Sequence, residues 1–264
     1  MPPDANPSDL TFAIELAQAA GSSTLAWFQH ADLTVDHKGD GSPVTAADLA
    51  AERLVRDRLA IDHPDDGVIG EEHDDTHGTS ARRWVVDPID GTKAFARGVP
   101  LYATLIALID EFGPAIGVIH LPALGETIAA GRGLGATFNG EPCRVSSRTD
   151  LTGAYAMTSG FGYWTSTGLD RLLASDLLLR TWGDAYGYAL VATGRAEAMI
   201  DPLANPWDVA PMAVIIPEAG GTFTTAAGDA GSDAWQGGSG VATNGHLHDA
   251  ILELIQPDGP LTDS

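Results

Sequence analysis

Between residues 84 and 130 the chain is divided into short apolar runs that suit a buried sheet. Trp84-Val85-Val86 and the stretches near 102–109, 115–120 and 127–130 have strand length, with glycine and proline turn signals between them. The longest apolar stretch, Leu101 to Ile109, is broken by Tyr102 and Thr104 and ends at Asp110, too short to span a bilayer. Helical periodicity flanks this block. Upstream, Ser8 is predicted to cap a helix over about 9–30, burying Leu10, Ile14, Ala17, Leu25 and Phe28, with Gly21 a weak point. After a polar loop at 36–42, a second helix over about 45–61 stops before Pro64. Downstream, helices are expected over about 185–194, 206–219 and 247–255, alternating with strands. Asn139-Gly140 marks a hairpin. Such alternation predicts an α/β layered sandwich. Two subdomains, 9–143 and 144–257, are expected to meet near 143–150, followed by a frayed tail at 258–264.

Charge narrows the possible partners. The net charge of −22 repels nucleic acid and anionic membranes, so neither is expected as a partner. It also makes any isolated carboxylate weak evidence for a site. Lysine is more informative: only Lys38 and Lys93 among the 14 basic residues are lysines, and both fall in polar loops beside the motifs below. Cys143 is alone, which excludes a disulfide framework and a thiolate zinc site. With no signal-peptide pattern at the start, a cytoplasmic location is expected.

The run Asp87-Pro88-Ile89-Asp90-Gly91-Thr92 sits at the end of an apolar strand. Pro88 stiffens the turn, and Gly91 lets backbone approach a ligand closely. Two carboxylates on one rigid turn, with the Ile89 carbonyl beside them, suit a hard cation such as Mg2+. A helix opening at Thr92 would aim free N–H groups at a phosphate. Read alone, the same run is equally good turn chemistry. Other segments favour the functional reading: Gly70-Glu71-Glu72 after a short strand, Trp207-Asp208 before Glu218-Ala219-Gly220-Gly221, and Pro43-Val44-Thr45-Ala46-Ala47-Asp48 opening the second helix.

In this order and spacing the motifs resemble the inositol monophosphatase superfamily over roughly residues 9–256. The resemblance implies an αβαβα sandwich of the inositol monophosphatase/fructose-1,6-bisphosphatase type. It implies Mg2+-dependent hydrolysis of a small phosphate monoester, with two or three ions per site, by a homodimer. Position by position, Glu71, Asp87, Asp90, Asp208 and the Ile89 carbonyl are similar to the metal ligands. Glu71 and Thr92, with Asp48 behind Thr92, are similar to the groups that orient the attacking water, and the Gly91 and Thr92 amides to the phosphate cradle. Lys38 falls in a stretch resembling the mobile loop that completes a metal site. One departure is visible: Ala94 stands where the family usually has Asn, and no ligand is affected.

Substrate choice is read from other residues. Asp184, in Arg180-x-Trp182-Gly183-Asp184-x-Tyr186, and Asp201, seven residues before Asp208 where the resemblance implies an acidic substrate contact, would present two carboxylates to the leaving group. That suits a cationic substrate. The pattern around Asp184 resembles the histidinol-phosphatase branch, which implies L-histidinol phosphate and histidine biosynthesis. Inositol-1-phosphate is the alternative, because Asp201 would also bind hydroxyls. A catalytically silent cation-binding or regulatory protein is the non-enzyme alternative. His73-Asp74-Asp75-x-His77 is expected to be a surface loop or lid, and His246-x-His248 a cap or surface pair. Trp235 and Phe161-x-Tyr163-Trp164 are expected in core or dimer packing.

Overall fold

The structure is a computed structural model that describes residues 2–39 and 41–256; the predicted tail at 258–264 lies outside them. The chain opens with α1 (Pro7–Thr24), the short strands β1 (Val35–His37) and β2 (Pro43–Thr45), and α2 (Ala46–Asp62). Next come β3 (Gly67–Gly70), β4 (Arg83–Asp90) and α3 (Thr92–Ala96). Five strands follow: β5 (Ala103–Asp110), β6 (Gly113–Leu121), β7 (Glu126–Gly131), β8 (Gly135–Phe138) and β9 (Glu141–Pro142). The remainder is β10 (Tyr155–Met157), α4 (Ser166–Ala174), β11 (Leu178–Arg180), α5 (Asp184–Ala192), β12 (Ala198–Asp201), α6 (Pro206–Val209), α7 (Met212–Glu218), β13 (Thr222–Thr224), β14 (Gly240–Thr243) and α8 (His248–Ile255).

Strands β3 to β9 form a seven-stranded sheet in chain order, antiparallel except for the parallel β3–β4 pair. A second sheet runs β11-β10-β12-β14-β13. Helices α1 and α2 cover one face of the large sheet, while α5, α6 and α7 fill the space between the sheets. Helices α4 and α8 cover the far face of the small sheet. The result is the expected αβαβα sandwich. Cover on both faces explains why β5 is buried along seven consecutive residues, all apolar but Thr104.

Local chemistry moved several boundaries. Asn6, not Ser8, caps α1: its side chain accepts from the Ser8 N–H at 3.0 Å, and Pro7 takes the first helical position, where no N–H is needed. The helix ends at Thr24 rather than His30, where the Thr24 hydroxyl binds the Gly21 carbonyl and the Tyr102 hydroxyl. Its buried face runs through Ala13, Leu16, Ala17 and Ala20, which leaves Leu25 exposed. Gly21 is a close-packing site against the His120 ring, not a weak point. The single helix expected over 206–219 is two, because Pro211 has no N–H to continue the ladder. The polar loop expected at 36–42 is shorter, because Asp36 and His37 belong to β1 and pair antiparallel with β2. His248 is buried rather than on the surface, with its two ring nitrogens 3.1 and 3.0 Å from the Thr224 and Thr243 hydroxyls. His246 is exposed.

Candidate active site

Strand β4 carries Asp87 and Asp90 to one end of the large sheet, where its pairing with β5 shifts register between them. Two hydrogen bonds hold the turn. The Thr104 hydroxyl donates to the Pro88 carbonyl at 2.8 Å, and the Ile89 N–H donates to Asp87 Oδ1 at 3.0 Å. Gly91 then takes φ +80° as the cap of α3, a left-handed conformation that disfavours a Cβ. A Cβ there would also meet the Asp184 carboxylate at 3.2 Å.

Asp208 arrives from between the sheets. An Asn205–Asp208 capping box opens α6, with Asp208 Oδ2 accepting from the Asn205 N–H at 2.7 Å. Oxygens of Asp87, Asp90 and Asp208 all lie within 4.8 Å of one another. Burial pushes Asp87 well above the usual carboxylate range, and the charges of Glu71, Asp90 and Asp208 add to it. Asp90 is raised by burial and by the charges of Asp184 and Asp208, against one hydrogen bond from the Ala185 N–H at 2.6 Å. Burial lifts Asp208 to about 7. Two buried carboxylates and a half-buried third that repel one another, with only oxygen donors, fit a hard divalent cation.

This arrangement makes a linked prediction. Carboxylates raised by folding bind more protons folded than unfolded, so they favour the folded state below their unfolded pKa near 3.8. That contribution is lost as pH rises through about 7, the folded value of Asp208. Chelator-treated protein should therefore melt lower at pH 8 than at pH 5.5. One fixed concentration of a divalent cation should raise Tm more at pH 8 than at pH 5.5, because the ionised carboxylates bind it more tightly; where that concentration is a hundredfold the Kd, the gain is about 2.7 kcal/mol. Equal thermal shifts at both pH values, by differential scanning fluorimetry, would contradict the arrangement.

Glu71 lies beside this cluster, and its carboxylate is held by Lys38 Nζ at 2.6 Å; the same ammonium reaches Glu72 at 2.8 Å. Burial opposes the Lys38 charge, but the bonds and charges of Glu71 and Glu72 outweigh it and hold its pKa above the usual lysine value. The Thr92 hydroxyl lies 3.0 Å from the Ile89 carbonyl and 3.4 Å from Asp48 Oδ1. Asp48 is fully buried at the start of α2, where its other oxygen accepts from the Thr45 N–H and hydroxyl at 2.8 and 2.6 Å. Burial raises its pKa, and these bonds oppose the rise.

Two adjoining cavities meet here. One, of about 150 Å3, includes Glu71, Asp87, Ile89, Asp90, Gly91 and Thr92 among its walls. The other, of about 510 Å3, opens toward Asp184, Tyr188 and Asp201. Ser42, Asp90, Lys93, Asp184 and Asp208 line both. Asp184 starts α5 with φ +52°, a conformation Asp tolerates, and its N–H donates to the Ser159 hydroxyl at 2.8 Å. Asp201 accepts from the Ser159 N–H at 3.2 Å and from the Tyr188 hydroxyl at 3.0 Å. Burial raises Asp201 to about 6 against these bonds.

Ser159, Tyr188 and Asn205 were not singled out from sequence. Asn205 carries a legible signal, the Asn-x-x-Asp cap, and Tyr188 lies one helical turn after Asp184. Tyr163, expected in packing, lines the larger cavity and accepts from Lys93 Nζ at 2.8 Å. Trp235 is core, and the Trp164 indole donates to the Thr158 hydroxyl. The His73–His77 loop is held at both ends, with the Arg56 side chain on the His73 carbonyl and Thr76 bridged to Val68.

Fold and site together describe an α/β protein with an acid-walled cleft between two sheets. The chain belongs to the inositol monophosphatase family, whose model it matches over residues 6–258. It is 44% identical to a histidinol-phosphatase of Chlorobaculum parvum, over 81% of this chain and 84% of that one. It is 42% identical to a histidinol-phosphatase of Mycobacterium tuberculosis, over 94% and 97%. Among solved structures it superposes on an IMPase of Thermotoga maritima with a TM-score of 0.85 and 30% identity, covering 94% and 96% of the two chains.

Proposed function

We propose that the protein is a Mg2+-dependent phosphoric monoester hydrolase whose substrate is L-histidinol phosphate. The observation that carries the reading is the adjacency of the carboxylate cluster and a cavity walled by Asp184 and Asp201. Identity of 41–44% to proteins named histidinol-phosphatase supports the same substrate.

Asp87, Asp90 and Asp208, with Glu71 and the Ile89 carbonyl, would hold the cation; when bound, it supplies Lewis-acid polarisation and the positive charge that lets a dianionic phosphate enter an acidic cleft. Thr92 orients the attacking water and takes its proton while passing its own hydroxyl proton to Asp48. Glu71 is the second group that orients this water. The Gly91 and Thr92 amides receive phosphoryl oxygens at the start of α3. Asp184 and Asp201 pair with the ammonium and imidazolium of the leaving group. With a pKa near 6, Asp201 is largely ionised at neutral pH, as that pairing requires. Lys38, on the loop between β1 and β2, guards Glu71. We assign metal binding mainly to residues 9–143 and substrate choice to 144–257, and we propose a cytoplasmic homodimer. Among the described residues no helix is long and apolar enough to cross a membrane.

Phosphate release from histidinol phosphate, inositol-1-phosphate and an adenosine bisphosphate, each with Mg2+ and with chelator, tests the proposal. A charged hydrogen bond contributes about 1.5–3 kcal/mol, so kcat/KM should favour histidinol phosphate by roughly 10- to 100-fold. Preference for inositol-1-phosphate would overturn the substrate, and Mg2+-independent or absent release would overturn the reaction.

A further inference from the structure

Helix α2 carries two fully buried carboxylates one turn apart, Asp48 and Glu52. Asp48 faces Thr92, while Glu52 has no part in the chemistry above. Its surroundings are specific. Glu52 Oε2 accepts the Glu72 N–H at 2.7 Å, and Oε1 accepts Arg56 Nε at 2.7 Å. Arg56 in turn donates from Nη2 to the His73 carbonyl at 3.1 Å, and His73 Nδ1 lies 3.3 Å from Glu52 Oε1. At Gly70 the contact is steric: a Cβ there would collide with Glu52 Oε1. Glu52 and Arg56 thus grip the chain at Gly70, Glu72 and His73, on both sides of Glu71. The Glu71 N–H is fixed to the Val86 carbonyl at 3.3 Å, on the strand that carries Asp87.

We propose that Glu52, with Arg56, is a positioning pair that sets Glu71 against the Asp87–Asp90–Asp208 cluster. One rigid helix then fixes the distance between the Thr92 partner and the Glu71 turn. A buried ion pair adds little to stability against an apolar pair of equal volume. Its use here is registry: Arg56 balances the Glu52 charge locally, which leaves the Glu71 and Glu72 charges to Lys38 and the cation. Gly70 is glycine because the carboxylate occupies the space of its side chain.

This inference rests on the metal reading above. The test is Mg2+ affinity, measured by calorimetry on the wild-type chain, Glu52→Gln and Gly70→Ala. Glu52→Gln keeps the shape and removes the charge that binds Arg56 and the Glu72 N–H. Gly70→Ala leaves Glu52 intact and displaces its carboxylate. Groups that orient metal ligands are worth roughly 10- to 100-fold in affinity, so both variants should bind Mg2+ that much more weakly, while circular dichroism shows the native fold. Wild-type affinity in the folded variants would overturn the proposal even if their metal-free Tm fell, since lowered Tm with unchanged affinity is the signature of a merely structural pair. If Glu52→Gln does not fold, Gly70→Ala decides alone. Absence of Mg2+ binding by the wild-type chain would instead sink the metal reading, and this inference with it.

Discussion

Asp90→Asn will abolish useful turnover while leaving the fold in place. Asp90 is buried, and Asn can keep its bond from the Ala185 N–H because the amide oxygen still accepts. What disappears is one of three converging charges. A bound cation contributes several kcal/mol of charge stabilisation, and each 1.36 kcal/mol is tenfold in rate, so kcat/KM should fall by roughly 10³-fold or more. Without metal the variant should melt at or above the wild-type temperature, since Asp87 and Asp208 lose a repelling neighbour. Phosphate release within about tenfold of wild type would remove Asp90 from the reaction.

Thr92→Val separates water activation from metal binding. The Thr92 hydroxyl has two acceptors, the Ile89 carbonyl and Asp48, and on the proposed metal reading Asp48 would be the acceptor once a cation held the carbonyl. Valine preserves the shape and removes the proton path. General acid–base steps contribute roughly 10²- to 10⁴-fold, and kcat should fall within that range. Asp48 keeps its two bonds from Thr45, so the start of α2 stays capped. The cation-induced rise in Tm should be unchanged. A kcat within a few-fold of wild type would leave Thr92 with a structural role only.

Much of the fold was legible because it is written in short-range chemistry. The apolar runs of β4 to β7 and the Thr45 cap of α2 depend on residues a few positions apart. The misreadings arose where a distant partner overrode the local pattern. Helix α1 stops at Thr24, whose hydroxyl meets Tyr102, and Gly21 makes room for His120. His248 looked like a surface residue until Thr224 and Thr243 closed around it. Two exceptions were local, the Asn6-Pro7 start of α1 and the helix break at Pro211, both visible in the sequence.

The run from Asp87 to Thr92 was determined by sequence alone as a rigid, acid-bearing turn, because proline, glycine and two aspartates dictate its backbone. Only the tertiary structure shows which distant residues gather around this turn. Asp48, Glu71, Asp184, Asp201 and Asp208 are scattered along the chain, and layer packing brings them to the same two cavities or directly behind them. Burial then raises the pKa values of Asp87, Asp90, Asp201 and Asp208, since moving a carboxylate out of water penalises its charged form. Residue identity supplies the carboxylate, and the sheets and helices around it supply its environment.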